Sequence, residues 1–276
     1  AALVADLRRS YEVEAVGIGA AGFVDRNRAT VLFAPNLAWR DEPLRDEVGA
    51  RVGLPVVVEN DANAMAWGEY RFGAGRGQDD LVCVTIGTGI GGGIVLDGAL
   101  YRGRYGIGAE PGHVQVVPDG HRCGCGNRGC WEQYASGRAL VREAREIAAV
   151  TPARAARLLE LGGGEPEGIG GPEVTRAARE GDLAALECFA VVGRWLGQGL
   201  ADLAAVLDPG RFVVGGGVSE AGEMLLTPAR AAFRLALTGR GHRPEAEIVL
   251  AELGAAAGLV GAADLARQPH RPIARR

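Results

Sequence analysis

One run constrains this chain more than any other: Glu110-Pro111-Gly112-His113, followed by Cys123-Gly-Cys125-Gly-Asn-Arg-Gly-Cys130-Trp131-Glu132. Three of the five cysteines in the sequence fall here, and one of its four histidines lies just upstream. An imidazole and three thiolates form the soft donor set that a tetrahedral structural zinc prefers. Glycines at 124, 126 and 129 allow the tight turns needed to aim several ligands at one point. His113, Cys123, Cys125 and Cys130 are therefore the candidate metal ligands. Glu110 and Glu132 flank them, so a metal that fixes the loop would also fix two carboxylates. The competing reading is a disulfide plus a spare thiol. It suits an oxidising compartment, and the chain shows neither a signal peptide nor an apolar run of membrane-spanning length. A reducing, cytoplasmic setting favours the metal. Cys83, in an apolar strand, and Cys188, in a helix, read as small buried hydrophobes.

Charge narrows the partners. A net charge of −4 and a pI near 5.7 give no electrostatic case for nucleic acid or an anionic membrane. Strands then alternate with helices. Val13–Gly19, Leu54–Val58, Leu81–Ile86, Gly91–Leu96, His113–Val117, Arg211–Val214 and Ala246–Ala251 read as strands, the third and fourth as a hairpin. Helical patterns cover Ala1–Tyr11, 136–149, 153–161, 173–180, 182–207, 221–238 and Gly254–Arg267. Leu161–Pro172 is a loop by composition, and the Arg/Pro-rich tail is expected to fray. Hairpins mixed with crossovers indicate α/β architecture with a mixed sheet.

Two glycine loops suit phosphate. Thr85-Ile-Gly87-Thr88-Gly89-Ile-Gly91-Gly92-Gly93 follows a strand, offering bare backbone N–H groups and the Thr88 hydroxyl. A hairpin turn would explain the same glycines. Gly215-Gly216-Gly217 joins a strand to a helix and would admit a flat nucleotide base or ribose, or else reflect close helix–strand packing. Neither is a Walker A or a Rossmann motif. A third segment, Glu59-Asn60-Asp61-Ala62-Asn63, runs from an apolar strand into a helix. Asp61 reads as a helix N-cap, or as a carboxylate at the carboxyl end of a strand that accepts a proton from a substrate hydroxyl. Beside the cysteine loop and two anion loops, the general-base reading gains weight.

Taken in this order, Glu59-Asn-Asp-Ala-Asn63, Gly87-Thr-Gly-Ile-Gly-Gly-Gly93, Glu110-Pro-Gly-His113, Cys123-Gly-Cys-Gly-x-x-Gly-Cys-x-Glu132 and Gly215-Gly-Gly217 resemble the ROK family of bacterial sugar kinases and repressors. Within it the pattern is nearest to the actinobacterial glucokinases, from Val13 to about Ala266. The resemblance implies an actin-like ATPase (ribonuclease H-like) fold, two α/β domains around a cleft. The small domain would span 1–60, completed by a C-terminal helix at 254–276, and the large one 61–253 with the zinc loop. It implies a cytoplasmic, glycolytic enzyme that phosphorylates glucose, or a similar hexose, at the 6-hydroxyl, as a homodimer or homotetramer. Asp61 would be the base, with Gly22, Asn60, Glu110, His113 and Glu132 holding the sugar. Thr88 and Gly89 would serve the phosphates of ATP with its Mg2+, and Gly215, Gly216 and Gly217 the adenosine. The family's opening Asp-x-Gly-Gly-Thr-Lys phosphate loop has no counterpart here, which implies a small domain truncated at its N-terminus. A sugar-responsive repressor fragment or a catalytically dead sugar-binding module are the alternatives, and ATP and polyphosphate the alternative donors.

Overall fold

The computed structural model describes residues 1–34 and 37–267. The expected frayed tail lies outside them. The chain divides into two compact units, one of Ala1–Cys83, Gly92–Glu110 and residue 251 onward, the other of Val84–Gly91 and Pro111–Leu250. The division therefore falls beyond residue 60, and the segment from 61 to 83 stays with the first unit.

In the first unit, β1 (Val16–Ala20) pairs in parallel with β5 (Val56–Asn60), with Val16 opposite Val56 and Ala20 opposite Asn60. Val56, Val57 and Val58 are buried, as a β-branched run requires. A small antiparallel sheet of β2 (Phe23–Val24), β3 (Val31–Phe33) and β4 (Arg40–Glu42) precedes α2 (Leu44–Val52). The sequence patterns indicate none of these four: the strands are two or three residues long and partly charged, too short for a period to register. Their core joins Val24, Val31, Val52, Val56 and Val58. The helix expected over Ala1–Tyr11 is confined to α1 (Ala2–Leu7), which buries no residue.

From β5 the chain enters α3 (Asp61–Phe72), which packs closely against α10 (Ala257–Arg267). Small residues make the approach possible. A Cβ placed on Gly261 would lie 1.7 Å from the Ala64 carbonyl oxygen, and one on Gly68 would lie 2.3 Å from that of Ala257. The Trp67 indole N–H donates to Asp264 Oδ2 at 2.8 Å. Glu69, fully buried, accepts from the N–H groups of Ala74, Glu252 and Leu253 at 2.8–3.1 Å and so anchors the segment leading to α10.

β6 (Leu81–Ile86) and β7 (Ile90–Leu96) carry the chain into the second unit and back as hydrogen-bonded neighbours, and β7 turns into β8 (Ala99–Tyr101). The second unit is helical after α4 (Glu132–Ala135): α5 (Gly137–Val150), α6 (Ala156–Leu161), α7 (Gly171–Arg179), α8 (Leu183–Leu207) and α9 (Glu223–Ala236). Asp182 caps α8 by accepting from Ala185 N–H at 2.9 Å. The pair β9 (Arg211–Gly215) and β10 (Glu247–Leu250) is parallel, and Phe212 meets Phe233 of α9 edge-on. Cys83 and Cys188 are buried as expected, and burial pushes both thiols up, that of Cys188 to about 12. Among the described residues no helix is long and apolar enough to cross a membrane.

Candidate functional site

The expected strand at His113–Val117 does not form. Pro111–His113 is a single 3₁₀ turn, and the following loop is held by isolated antiparallel bridges, Gln115 with Cys130 and Arg122 with Arg128. A proline and a glycine immediately before the histidine favour a tight turn over an extended ladder. Gly129 has φ 74° and a Cβ there would lie 1.6 Å from the Val117 carbonyl oxygen, so the loop closes only around glycine.

This folding gathers the four candidate ligands. The donor atoms of His113, Cys123, Cys125 and Cys130 all lie within 4.8 Å of one another. His113 Nδ1 is 3.6 Å from Cys123 Sγ, and the Cys125 and Cys130 sulfurs are 3.6 Å apart. Bond lengths of about 2.0 Å to nitrogen and 2.3 Å to sulfur place tetrahedral ligand edges at about 3.5 Å for N–S and about 3.8 Å for S–S, so these spacings are close to those such an ion needs. Among the described residues all five cysteines are free. Without an ion, burial raises the Cys123 and Cys130 thiols. Burial also acts to raise Cys125, but the Asn127 N–H and neighbouring thiols outweigh it and bring that thiol down.

Between Cys130 and Glu132 stands Trp131, 1% exposed, whose indole N–H donates to the Trp195 carbonyl at 2.7 Å. Gly199 of α8 admits the ring, since a Cβ there would fall 2.1 Å from it. The tryptophan thus fixes a ligand on one side and a carboxylate on the other. Glu132 is itself buried. Its Oε1 accepts from the Cys123 thiol at 3.0 Å and from Gln133 Nε2 at 3.2 Å, and lies 3.6 Å from Arg138 Nη2. Its Oε2 faces the first glycine loop, 2.3 Å from where a Cβ on Gly89 would sit.

That loop is tied to the first turn of α5. Gly137 N–H donates to the Gly87 carbonyl at 2.8 Å and Arg138 Nε to the Thr88 carbonyl at 3.0 Å. A cleft of about 1190 Å³ opens beside it, lined by Gly87 and Thr88, by Gly217 and Val218 from the second glycine loop, and by Arg138 and Leu140 among others. The two glycine loops thus share one cleft. Gly89, Gly215 and Gly216 do not line it. Gly216, at φ 88°, presses on the backbone of Ile86, where a Cβ would meet atoms at 2.6–2.8 Å, so close packing accounts for that glycine.

Asp61 lies in the first unit, where β5 meets α3. The cap of α3 is Asn60, not Asp61: Asn60 is extended (φ −59°, ψ 141°) and its Oδ1 accepts from Asn63 N–H at 3.0 Å. Asn60 Nδ2 donates to the Gly22 carbonyl at 3.1 Å. Gly22 has φ 120° and no room for a Cβ, which would lie 2.3 Å from the Phe33 carbonyl oxygen. Released from capping, Asp61 opens α3 as an exposed residue, its carboxylate accepting from Ala62 N–H at 2.9 Å. Partial desolvation by the surrounding protein raises its pKa above the ordinary value of 3.8, against the pull of that N–H.

Behind it lies a charge cluster that sequence patterns do not reveal. Glu59, 1% exposed, meets Arg28 Nε at 3.0 Å and Arg102 Nε at 2.9 Å, and accepts from the Asn60 N–H at 2.9 Å. Arg102 also donates to the carbonyls of Val24, Asp25 and Arg26. The Gly22 turn and the Asn60–Asp61 junction are therefore braced by one buried ion-pair network. Glu110, half-buried in the same unit, follows Ala109, a non-glycine residue held at φ 69°. Such a conformation costs about 1 kcal/mol and fixes the direction in which the chain leaves.

The ROK family model matches residues 1–269. A glucokinase of Streptomyces coelicolor is 56% identical over 269 residues, covering 98% of this chain and 85% of that protein. A glucokinase of Thermotoga maritima is 44% identical over 220 residues, covering 79% and 68%. The crystal structure of a ROK family glucokinase from Streptomyces griseus in complex with glucose and AMPPNP superposes with a TM-score of 0.89 at 62% identity, covering 97% of this chain and 86% of that one. The mixed α/β architecture described above is that of these kinases, the actin-like ATPase fold.

Proposed function

This chain belongs to the ROK family, and we propose that it is a glucokinase, transferring the γ-phosphoryl group of ATP to the 6-hydroxyl of glucose. One observation carries the reading. Glu132, a carboxylate suited to a sugar hydroxyl, follows the metal ligand Cys130 by two residues and stands against the glycine loop at Gly89. A sugar acid beside a phosphate loop is what a sugar kinase needs. A repressor or a simple sugar-binding module would leave the cleft shared by Thr88 and Gly217 without a use.

In this reading Asn60, Glu110, His113, Glu132 and the backbone at Gly22 hold the sugar hydroxyls. Asp61 accepts the proton of the 6-hydroxyl as its oxygen attacks the γ-phosphorus. The bond from phosphorus to the bridging oxygen breaks, and ADP leaves with that electron pair. The raised pKa of Asp61 makes it a stronger base than an ordinary aspartate. Thr88 and Gly89 address the phosphates of magnesium-bound ATP, and Gly217 with Val218 the adenosine side of the cleft.

Zinc fits the set of His113, Cys123, Cys125 and Cys130. Four protein donors leave it no open position, so it supplies a cross-link and no Lewis-acid chemistry. With Nδ1 turned to the cluster, the opposite imidazole nitrogen of His113 serves a sugar hydroxyl. A coupled assay for glucose 6-phosphate tests the function in the full-length protein. Glucose-dependent ADP release is expected, and Asp61→Asn lowers kcat by about 10²–10⁴-fold. No glucose-dependent release would sink the reading.

A further inference from the structure

Arg138 joins the two substrates' contacts within one side chain. Its Nε holds the Thr88 carbonyl of the glycine loop at 3.0 Å, and its Nη2 lies 3.6 Å from Glu132 Oε1. The loop it grips is held by hydrogen bonds. Gly87 and Gly89 flank Thr88, and Gly87 N–H donates to the Gly89 carbonyl at 3.0 Å. Gly137 N–H and Arg138 Nε tie the loop to α5. Arg138 is 56% exposed and lines the cleft. Its planar fork can address a carbonyl and a carboxylate together, which an ammonium cannot do in fixed geometry.

We infer that Arg138 is a positioning residue that couples sugar binding to nucleotide binding. A hydroxyl seated on Glu132 fixes that carboxylate, Arg138 is then held against it, and its Nε draws the Thr88 backbone into the arrangement the phosphates require. The linkage is reciprocal: whatever factor glucose adds to nucleotide affinity, nucleotide adds to glucose affinity. The inference rests on the proposed glucokinase reading for the identity of the two ligands.

Isothermal titration of the full-length protein with glucose, with AMPPNP, and with each in the presence of the other measures the coupling directly. Zinc content and Tm are measured on the same samples. In the wild type each ligand is expected to tighten the other by about 5–150-fold, the usual range for such coupling. In Arg138→Ala and Arg138→Lys that factor falls by more than about fivefold, or to unity where it starts small, while glucose affinity without nucleotide stays within about threefold. The lysine variant keeps the charge and loses the fork, and it decides the question if the alanine variant does not fold. A smaller fall in either folded variant, full rescue by lysine, or no coupling in the wild type overturns the inference. A wild type that shows the coupling yet makes no glucose 6-phosphate overturns the kinase reading and leaves the coupling standing.

Discussion

A single methyl group on the nucleotide loop should weaken sugar binding with no nucleotide present. In Gly89→Ala the new Cβ lies 2.3 Å from Glu132 Oε2, whereas ordinary contact begins near 3.4 Å. The carboxylate must therefore retreat by 3.4 − 2.3, about 1.1 Å. Gly89 has no left-handed φ, so the backbone itself accepts alanine without strain. A shift of about 1 Å takes a hydrogen bond from near 2.8 Å to beyond bonding distance. One charge-assisted bond to a sugar hydroxyl is worth about 1.5–3 kcal/mol, which raises the glucose Kd by about 10- to 150-fold. Gly87→Ala is the matched control, because its Cβ enters open space. Titration calorimetry with glucose alone separates the two. If Gly89→Ala binds glucose within about threefold of wild type while Glu132→Gln loses more than about tenfold, the proposed contact between loop and carboxylate is wrong.

Cys125→Ala removes one of four donors and should reduce bound zinc from about one per chain to almost none after brief chelation, read by elemental analysis. Burial raises the Asp61 pKa, and catalysis needs its ionised form, so the acid limb of kcat/KM should lie above the ordinary aspartate value and vanish in Asp61→Asn. The same shift has a stability consequence. A raised pKa favours the folded state below the unfolded pKa and loses that advantage as pH rises through the folded one. Asp61→Asn should therefore raise Tm slightly at neutral pH, in a scan against wild type. Gly261→Ala should lower the urea midpoint by the equivalent of about 1–3 kcal/mol, because its Cβ would lie 1.7 Å from the Ala64 carbonyl oxygen.

Much of this protein is legible along the chain. The metal ligands lie within 18 residues of one another, β6 matches its apolar run from Leu81 to Ile86 to the residue, and α5, α8 and α9 follow their 3.6-residue patterns closely. Such features are local: donor chemistry, strand alternation and helical period are written in neighbouring residues. β2 and β3 are too short for a period and β4 is wholly charged; the core around Val24, Val31 and Val56 holds the first two, and β4 pairs with β3. The expected strand at His113–Val117 gives way to a 3₁₀ turn at Pro111–His113 and a bridged loop, an outcome that the proline and glycine before the histidine favour.

Tertiary structure alone decided what each site residue is held by. Whether Asp61 or Asn60 caps α3 depends on backbone angles at one junction, and the answer leaves Asp61 exposed yet partly desolvated. Glu59 meets Arg28 and Arg102 across 31 and 43 residues (59 − 28 and 102 − 59), and Trp131 reaches Trp195 across 64. Sequence fixes the donors and acceptors a chain owns. Which of them meet across such separations is set by packing, because a buried charge or N–H must find a partner wherever the fold brings one.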